Sequence, residues 1–85
     1  MKVSYSRAFR KMFDRLPQSI QKRYYQAENL LVANMHDPRL HSKRLKLKTV
    51  VFSARITRDY RMLFYVEPEN TIVLFAIGHR KDVYK

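Results

Sequence analysis

Arg55 and Arg61 are candidate functional side chains of this sequence. Each lies in a β-rich segment and alternates with apolar residues, so each falls on the opposite sheet face from the expected core. Because burial of an unpaired guanidinium is prohibitive, both are predicted on an open face, close to the turn that joins their segments. The residues of the open face are expected to carry the function, so both arginines are candidates for it.

The C-terminal stretch brings charge and an aromatic ring back to the edge of the same predicted sheet; its sequence is GHRKDVYK. His79 is the side chain here that titrates near neutral pH, which makes it a candidate acid or base. Strand alternation turns it away from Arg80. A hydrogen-bonded structural histidine is therefore the other interpretation.

Net charge is the strongest compositional signal. Eighteen Lys and Arg stand against seven Asp and Glu, for a formal net charge of +11. Self-repulsion of this size opposes folding and is usually tolerated because the partner is a polyanion. Nucleic acid is the first candidate partner, and an acidic protein or an anionic membrane surface comes next. A basic surface that only keeps the protein soluble is the remaining alternative.

A second set of cations lies in the middle of the chain, at Lys43, Arg44, Lys46 and Lys48. As functional residues they would bind RNA phosphates and add salt-dependent affinity without reading sequence. Charge runs are also often simply solvated, so both interpretations stay open.

Other classes of site are excluded or unsupported. The chain has no cysteine, which excludes disulfides, thiolate metal ligands and a cysteine nucleophile. Few carboxylates lie near the histidines, so neither a metal nor another cofactor is predicted. The apolar runs are too short to span a bilayer, and the first residues lack a signal-peptide core. We therefore expect a cytoplasmic protein without a membrane partner.

Two amphipathic helices are predicted in the first half. Ser6 is the expected N-cap of the first helix, whose apolar residues recur at i, i+3, i+4 and i+7 and which stops at Pro17. The second helix has Gln18 or Ser19 as its expected cap and ends at Asp37, because the residue before a proline disfavours the α region. The short turn between them makes an antiparallel helical hairpin.

Strands are predicted at residues 2–5 and in three later segments, Val50–Thr57, Tyr60–Glu67 and Thr71–Ile77. The breaks at residues 58–59 and 68–70 are short turns, which favour an antiparallel meander. A basic connector over residues 39–48 has weak strand character near its end. The predicted fold is a single α+β domain over residues 1–85: an N-terminal strand, then an antiparallel two-helix hairpin packed on one face of a C-terminal three-stranded antiparallel meander.

Two strings make the sequence specific: FSARITRDYRMLFY at residues 52–65 and IGHRKDVY at residues 77–84. Together they closely resemble the RelE/ParE toxin superfamily of type II toxin–antitoxin systems. Residues 16–20 (LPQSI) and 40–47 (LHSKRLKL) are similar to that family's interhelix turn and basic connector. The resemblance covers essentially the whole chain and implies the same fold as the pattern of elements.

The resemblance implies a RelE-like mRNA interferase, an endoribonuclease that enters the ribosomal A site and cleaves mRNA without a metal. In that reaction the 2′-hydroxyl attacks the adjacent phosphate, which leaves a cyclic phosphate and a free 5′-hydroxyl. Arg61 matches the family's phosphate-binding arginine, Arg80 its transition-state arginine and Tyr84 its C-terminal tyrosine. Arg55 and Ser53 fall near the two lysines of the preceding strand.

This sequence departs from the family's residue pattern at some positions, and other functions remain as alternatives. Arginine is a poor general base and serine is none, and Val83 stands where some relatives have a histidine, so no proton acceptor is identified. Arg58 and Lys81 are further candidate RNA contacts. The expected partners are a cognate antitoxin, the ribosome and mRNA. The alternatives are a ParE-like DNA gyrase inhibitor of the same fold and a non-catalytic RNA-binding relative.

Overall fold

The computed structural model describes residues 1–45 and 49–84, and within them one mixed sheet carries the first two helices on one face. The elements follow in chain order: β1 (Lys2–Tyr5), α1 (Arg7–Asp14), α2 (Gln18–Ala33), a 3₁₀ turn (Pro38–Leu40), β2 (Lys43–Leu45), β3 (Val51–Arg55), β4 (Tyr60–Glu67), β5 (Thr71–His79) and α3 (Arg80–Val83). The predicted α+β fold is confirmed.

The described strands are ordered β1-β5-β4-β3-β2 across the sheet. The meander β3-β4-β5 is antiparallel, as predicted. At one edge β2 pairs with β3 in antiparallel fashion, and at the other β1 pairs with β5 in parallel. The chain therefore crosses the whole sheet through the helical hairpin before it enters β2.

The core lies between the helices and one sheet face. Its fully buried side chains come from both layers, and the largest are Tyr24, Leu31, Leu40, Met62, Phe64, Ile72 and Leu74. Rings of α1, α2 and β1 pack against one another at the hairpin, with centroids of Phe9 and Tyr24 5.6 Å apart. Burial of apolar area and ring contacts together hold the hairpin on the sheet.

The helix boundaries differ from the predicted ones. Ser6 caps α1 as predicted, since its hydroxyl accepts from the backbone N–H of Phe9 at 3.0 Å. Pro17, rather than Gln18 or Ser19, is the residue before α2, and it offers no side-chain cap. Helix α2 ends at Ala33 because Asn34 is extended, with φ −164° and ψ 105°.

Asp37 begins a new element instead of ending the second helix. Its carboxylate accepts from the backbone N–H of Arg39 at 2.9 Å and caps the 3₁₀ turn, so the prediction that α2 reaches Asp37 is wrong. The guanidinium of Arg39 bonds the same carboxylate, which lowers the pKa of Asp37 to about 2. Proline at the first position of a 3₁₀ turn is favoured because its N–H is not needed there.

A β-bulge in the meander sets which residues of β5 face which way. Leu63 pairs with Ala76 while Phe64 pairs with Leu74, so Phe75 is an extra residue on β5. Beyond the bulge, Gly78 lies opposite Arg61. The bulge thus shifts the end of β5 by one residue relative to simple alternation.

Candidate active site

Arg55 and Arg61 lie directly opposite each other on β3 and β4, on the sheet face away from the helices. This placement on the outer face agrees with the alternation argument. The expectation of an open environment holds less well, because Arg61 is only 9% exposed. The Nε and Nη2 groups of Arg61 donate to neighbouring groups of the protein.

Arg61 is held by two neutral acceptors. Its Nε and Nη2 donate to the hydroxyl of Ser53 at 3.3 and 3.0 Å, and Nη2 also donates to the backbone carbonyl of His41 at 2.9 Å. Burial lowers the pKa of the Arg61 guanidinium, and the charge of Arg55 lowers it further. The adjacent hydroxyl of Tyr84 raises that pKa and so acts in the opposite direction. Because both acceptors are neutral, they do not offset the positive charge of Arg61.

Arg55 adds an unsatisfied cation beside Arg61. Its Nε is buried, and within the described chain it has no hydrogen-bond partner. Like charges placed directly across two strands repel, and an unpaired buried donor costs stability. An anion bound between the two guanidiniums would reduce both costs.

Tyr84 and Lys43 complete the cluster from two other elements. Helix α3 contacts β4 and β5, and it places the Tyr84 ring beside Arg61. The ammonium of Lys43, on β2, lies 5.9 Å from the centroid of that ring. Tyr84 remains 44% exposed, so part of the side chain is open to contact with a ligand.

Gly78 leaves open space next to this cluster. It pairs with Arg61 across β4 and β5, and a Cβ built on it would meet no atom within 4 Å. The space continues into a groove on the outer face with a cavity volume of about 670 Å³, whose apolar lining includes Leu45, Val51, Leu63, Ala76 and Val83. Gly78 and Tyr84 also line this groove.

Arg80 lies apart from the cluster, at the turn between β3 and β4. Its backbone N–H donates to the carbonyl of Asp59 at 2.7 Å, and its Nε lies 3.8 Å from the Asp59 carboxylate. Both side chains are more than half exposed, so this ion pair is weak and Arg80 can leave it for another anion.

His79 serves as the N-cap of α3. Its Nδ1 accepts from the backbone N–H of Lys81 at 3.2 Å, and its ring packs edge-on against Tyr60 at 5.4 Å. Tyr60 packs on the core, so the imidazole is on the helical side of the sheet, away from Arg61. This arrangement corresponds to the structural interpretation of His79.

The other predicted RNA contacts are scattered. Lys43 belongs to the cluster, whereas its neighbour Arg44 pairs with Phe52 and lies on the opposite face of β2. Arg58 and Lys81 are exposed in the β3–β4 turn and in α3. Lys46 and Lys48 lie outside the described residues.

Three contributors to the site were missed as such by sequence reasoning: the hydroxyl of Ser53, the carbonyl of His41 and the open space at Gly78. Alternation already places Ser53 on the face of Arg55, which is the available signal for its role. The His41 carbonyl has no sequence signal, because every residue carries one. Among the described residues no group of three His, Asp or Glu is arranged to hold a metal ion.

Nothing in the described ranges resembles a membrane span, since no helix there has the necessary length and apolarity. A search of curated proteins finds no match to this sequence. A family model described as "ParE toxin of type II toxin-antitoxin system, parDE" matches residues 3–84.

Solved toxin structures share this fold. The YoeB/ParE toxin from Agrobacterium tumefaciens superposes with a TM-score of 0.80 at 13% identity, over 94% of this chain and 99% of that one. The RelBE2 toxin–antitoxin complex from Mycobacterium tuberculosis superposes with a TM-score of 0.76 at 27% identity, over 93% of this chain and 96% of that one. YafQ from E. coli superposes with a TM-score of 0.80 at 12% identity, over 99% of this chain and 98% of that one.

Proposed function

Because this chain belongs to the ParE toxin family of type II toxin–antitoxin systems, whose fold it shares with RelE-type toxins, we propose that it is an endoribonuclease that cuts mRNA in the ribosomal A site. The observation that carries the proposal is the cluster of Arg55, Arg61 and Lys43 around Tyr84. Three cations and one aromatic ring on a single face fit a nucleotide, with its phosphate on the guanidiniums and its base on the ring.

The proposed chemistry is the one that the resemblance to RelE-like enzymes implies. The 2′-hydroxyl loses its proton to solvent water as its oxygen attacks the adjacent phosphorus, the bond to the 5′ oxygen breaks, and the 5′ oxygen takes up a proton. The products are a cyclic phosphate and a 5′-hydroxyl. Arg61 and Arg55 stabilise the dianionic phosphorane, since fixed donors aimed at developing charge are among the largest catalytic contributions. Tyr84, whose hydroxyl adjoins Arg61, is placed to donate a proton to the leaving oxygen.

Arg80 supplies a further charge in this proposal. Its exposed pair with Asp59 breaks at little cost, so the guanidinium can swing toward the phosphate when RNA binds. His79 takes no part in proton transfer, because its Nδ1 caps α3 and its ring packs on Tyr60. Lys43, Arg58 and Lys81 add phosphate contacts without sequence readout.

The test adds purified protein to a reconstituted translation reaction and maps mRNA ends by primer extension. We expect cuts at the A-site codon that disappear when ribosomes are omitted. Arg61→Ala should abolish the cuts, and Arg44→Ala is the matched control because Arg44 lies on the opposite side of its strand. Intact mRNA with a folded wild-type protein would contradict the proposal.

A gyrase inhibitor is the second candidate, and two observations favour it. The matching family model is that of ParE toxins, and Arg80 pairs with Asp59 instead of adjoining Arg61. A supercoiling assay with purified gyrase distinguishes the two functions. Inhibition of gyrase with intact mRNA would establish this candidate, and salt-dependent RNA binding without either activity would indicate a non-catalytic relative.

The proposed protein partner is a cognate antitoxin with acidic residues on an apolar helix. The chain has eighteen Lys and Arg side chains against seven Asp and Glu, and this positive charge favours an acidic partner. The M. tuberculosis relative was solved as a toxin–antitoxin complex. An amphipathic acidic helix could lie along the groove beside Tyr84 or over the helical hairpin.

A further inference from the structure

We propose that Ser53 is a positioning residue which, together with the backbone carbonyl of His41, fixes the orientation of the Arg61 guanidinium in the site. The role in catalysis rests on the proposed RNA cleavage. The orientation itself is a property of the protein alone and can be measured without substrate.

The hydrogen bonds define one edge of the Arg61 fork. Nε and Nη2 both donate to Ser53, and the second hydrogen of Nη2 points to the His41 carbonyl. A guanidinium has five N–H donors in a rigid plane, so three bonds to two fixed acceptors fix that plane. The two Nη1 hydrogens take no part in these three bonds and remain for a ligand.

Serine is suited to this role because it is neutral. Ser53 is fully buried, and a buried hydroxyl needs a partner, which Arg61 provides. A carboxylate at this position would also orient Arg61, but it would neutralise the charge that a phosphate requires. Ser53 thus orients the guanidinium without competing with the substrate.

The His41 carbonyl reaches Arg61 because of an uncommon backbone conformation. His41 has φ 45° and ψ 44°, in the left-handed region that non-glycine residues seldom adopt. It follows the 3₁₀ turn directly, and the preceding Leu40 is fully buried in the core. Core packing therefore fixes the carbonyl that holds Arg61.

A preorganised guanidinium accelerates the chemical step more than it improves binding. Removal of the Ser53 hydroxyl leaves the charge of Arg61 in place, so RNA affinity should change little. The lost orientation should lower kcat by about 10- to 100-fold, since small misplacements of catalytic groups have effects of this size.

The experiment combines kinetics with NMR of the arginine side chain. For Ser53→Ala we expect kcat to fall while KM changes less than about threefold, because charge-driven binding persists. Ser53→Thr, which keeps the hydroxyl, should restore most of kcat. Ser4→Ala is the matched control, since it removes an exposed serine hydroxyl on β1. The Arg61 Nε–H signal should exchange slowly in the wild type and in Ser53→Thr, and fast in Ser53→Ala.

Variants at His41 test the carbonyl independently of the buried serine. The His41 side chain is exposed, valine disfavours positive φ, and glycine adopts it freely. We expect His41→Val to lower kcat more than His41→Gly does. Equal kcat values for the two variants would contradict the role of the carbonyl.

The possible failures are separable. A wild-type protein that cleaves no RNA contradicts the proposed function, and the Arg61 Nε–H signal then decides the orientation by itself. In an active protein, a Ser53→Ala variant with wild-type kcat and a slowly exchanging Nε–H would overturn the positioning role. Equal losses of kcat in Ser53→Ala and Ser53→Thr would show that the Ser53 hydroxyl does not position Arg61.

Discussion

Replacement of Arg55 by methionine should stabilise the protein while it removes activity. In the free protein Arg55 lies opposite Arg61, and its Nε is buried without a partner among the described residues. Methionine keeps much of the aliphatic length of the side chain and removes both the charge and the unsatisfied donor. The site then loses a cation that we assign to phosphate binding.

The expected gain follows from two contributions. A buried unsatisfied donor costs about 1–3 kcal/mol. Like charges directly across two strands cost up to about 1 kcal/mol. Allowing for imperfect packing of methionine, we expect the free energy of unfolding to rise by about 1–2 kcal/mol. For a domain of this size each kcal/mol raises Tm by about 4–8 °C.

Thermal unfolding followed by circular dichroism is the assay, in low-salt buffer with and without phosphate. Arg55→Met should unfold at least about 4 °C above the wild type. Added phosphate should reduce the difference in Tm between Arg55→Met and the wild type, because an anion between the two guanidiniums stabilises only the wild type. Arg44→Met is the control, as an exposed arginine on the other face should change stability by less than about 0.5 kcal/mol.

The reasoning would be refuted by an Arg55→Met variant that unfolds at or below the wild-type temperature in low salt. That result would mean that the guanidinium of Arg55 stabilises the free protein and that no anion is needed between the two arginines. The same variant should show at least a tenfold loss of RNA cleavage in the proposed reaction, about 1.4 kcal/mol of transition-state stabilisation.

Three further predictions concern the ring of Tyr84, the hydroxyls of Tyr5 and Tyr24, and the core residue Leu40. Tyr84→Ala should lower cleavage by about 10- to 100-fold, the worth of one stacked base, with little change in Tm because the ring is half exposed; an unchanged rate in the translation assay would exclude the ring from the site. Burial first, and then a hydrogen bond to Glu28, raise the pKa of Tyr5 to about 12, and burial also raises the pKa of Tyr24 above its usual value. The folded state holds these protons more tightly, so their contribution is complete below about pH 10 and is lost as the pH rises toward 12; Tyr5→Phe should make unfolding less sensitive to alkali, and an identical pH profile would contradict this. Leu40→Ala should cost about 2–5 kcal/mol in denaturant unfolding, and a loss below 1 kcal/mol would show that the 3₁₀ turn is not anchored by the core.

Local signals in the sequence were enough to predict most of the elements. The bounds of β4 agree with the prediction at both ends, and the N-cap of α1 is Ser6 as expected. Alternation also placed Arg55 and Arg61 on the outer face. These features depend on a few neighbouring residues, on side-chain period and on capping, so they can be read without knowledge of the partner strands.

The end of α2 was mispredicted because two local signals compete there. The proline after Asp37 predicts a helix end at Asp37, but the chain leaves the helix at Asn34 and starts a separate 3₁₀ turn. Leu40 in that turn is buried against the core, and this tertiary contact decides the path of the connector. Residue preferences describe where a helix can end, and packing selects among those positions.

The sequence predicts some of the residues of the site, and only the structure shows the others. Charge, alternation and the strings at residues 52–65 and 77–84 were sufficient to identify the fold family and the outer-face arginines. The pairing register was not accessible, because the extra residue Phe75 moves every later residue of β5 to the other face. That bulge places Gly78 beside Arg61 and turns His79 toward Tyr60. Register and backbone direction depend on contacts between segments far apart in the chain, so only the folded structure decides them.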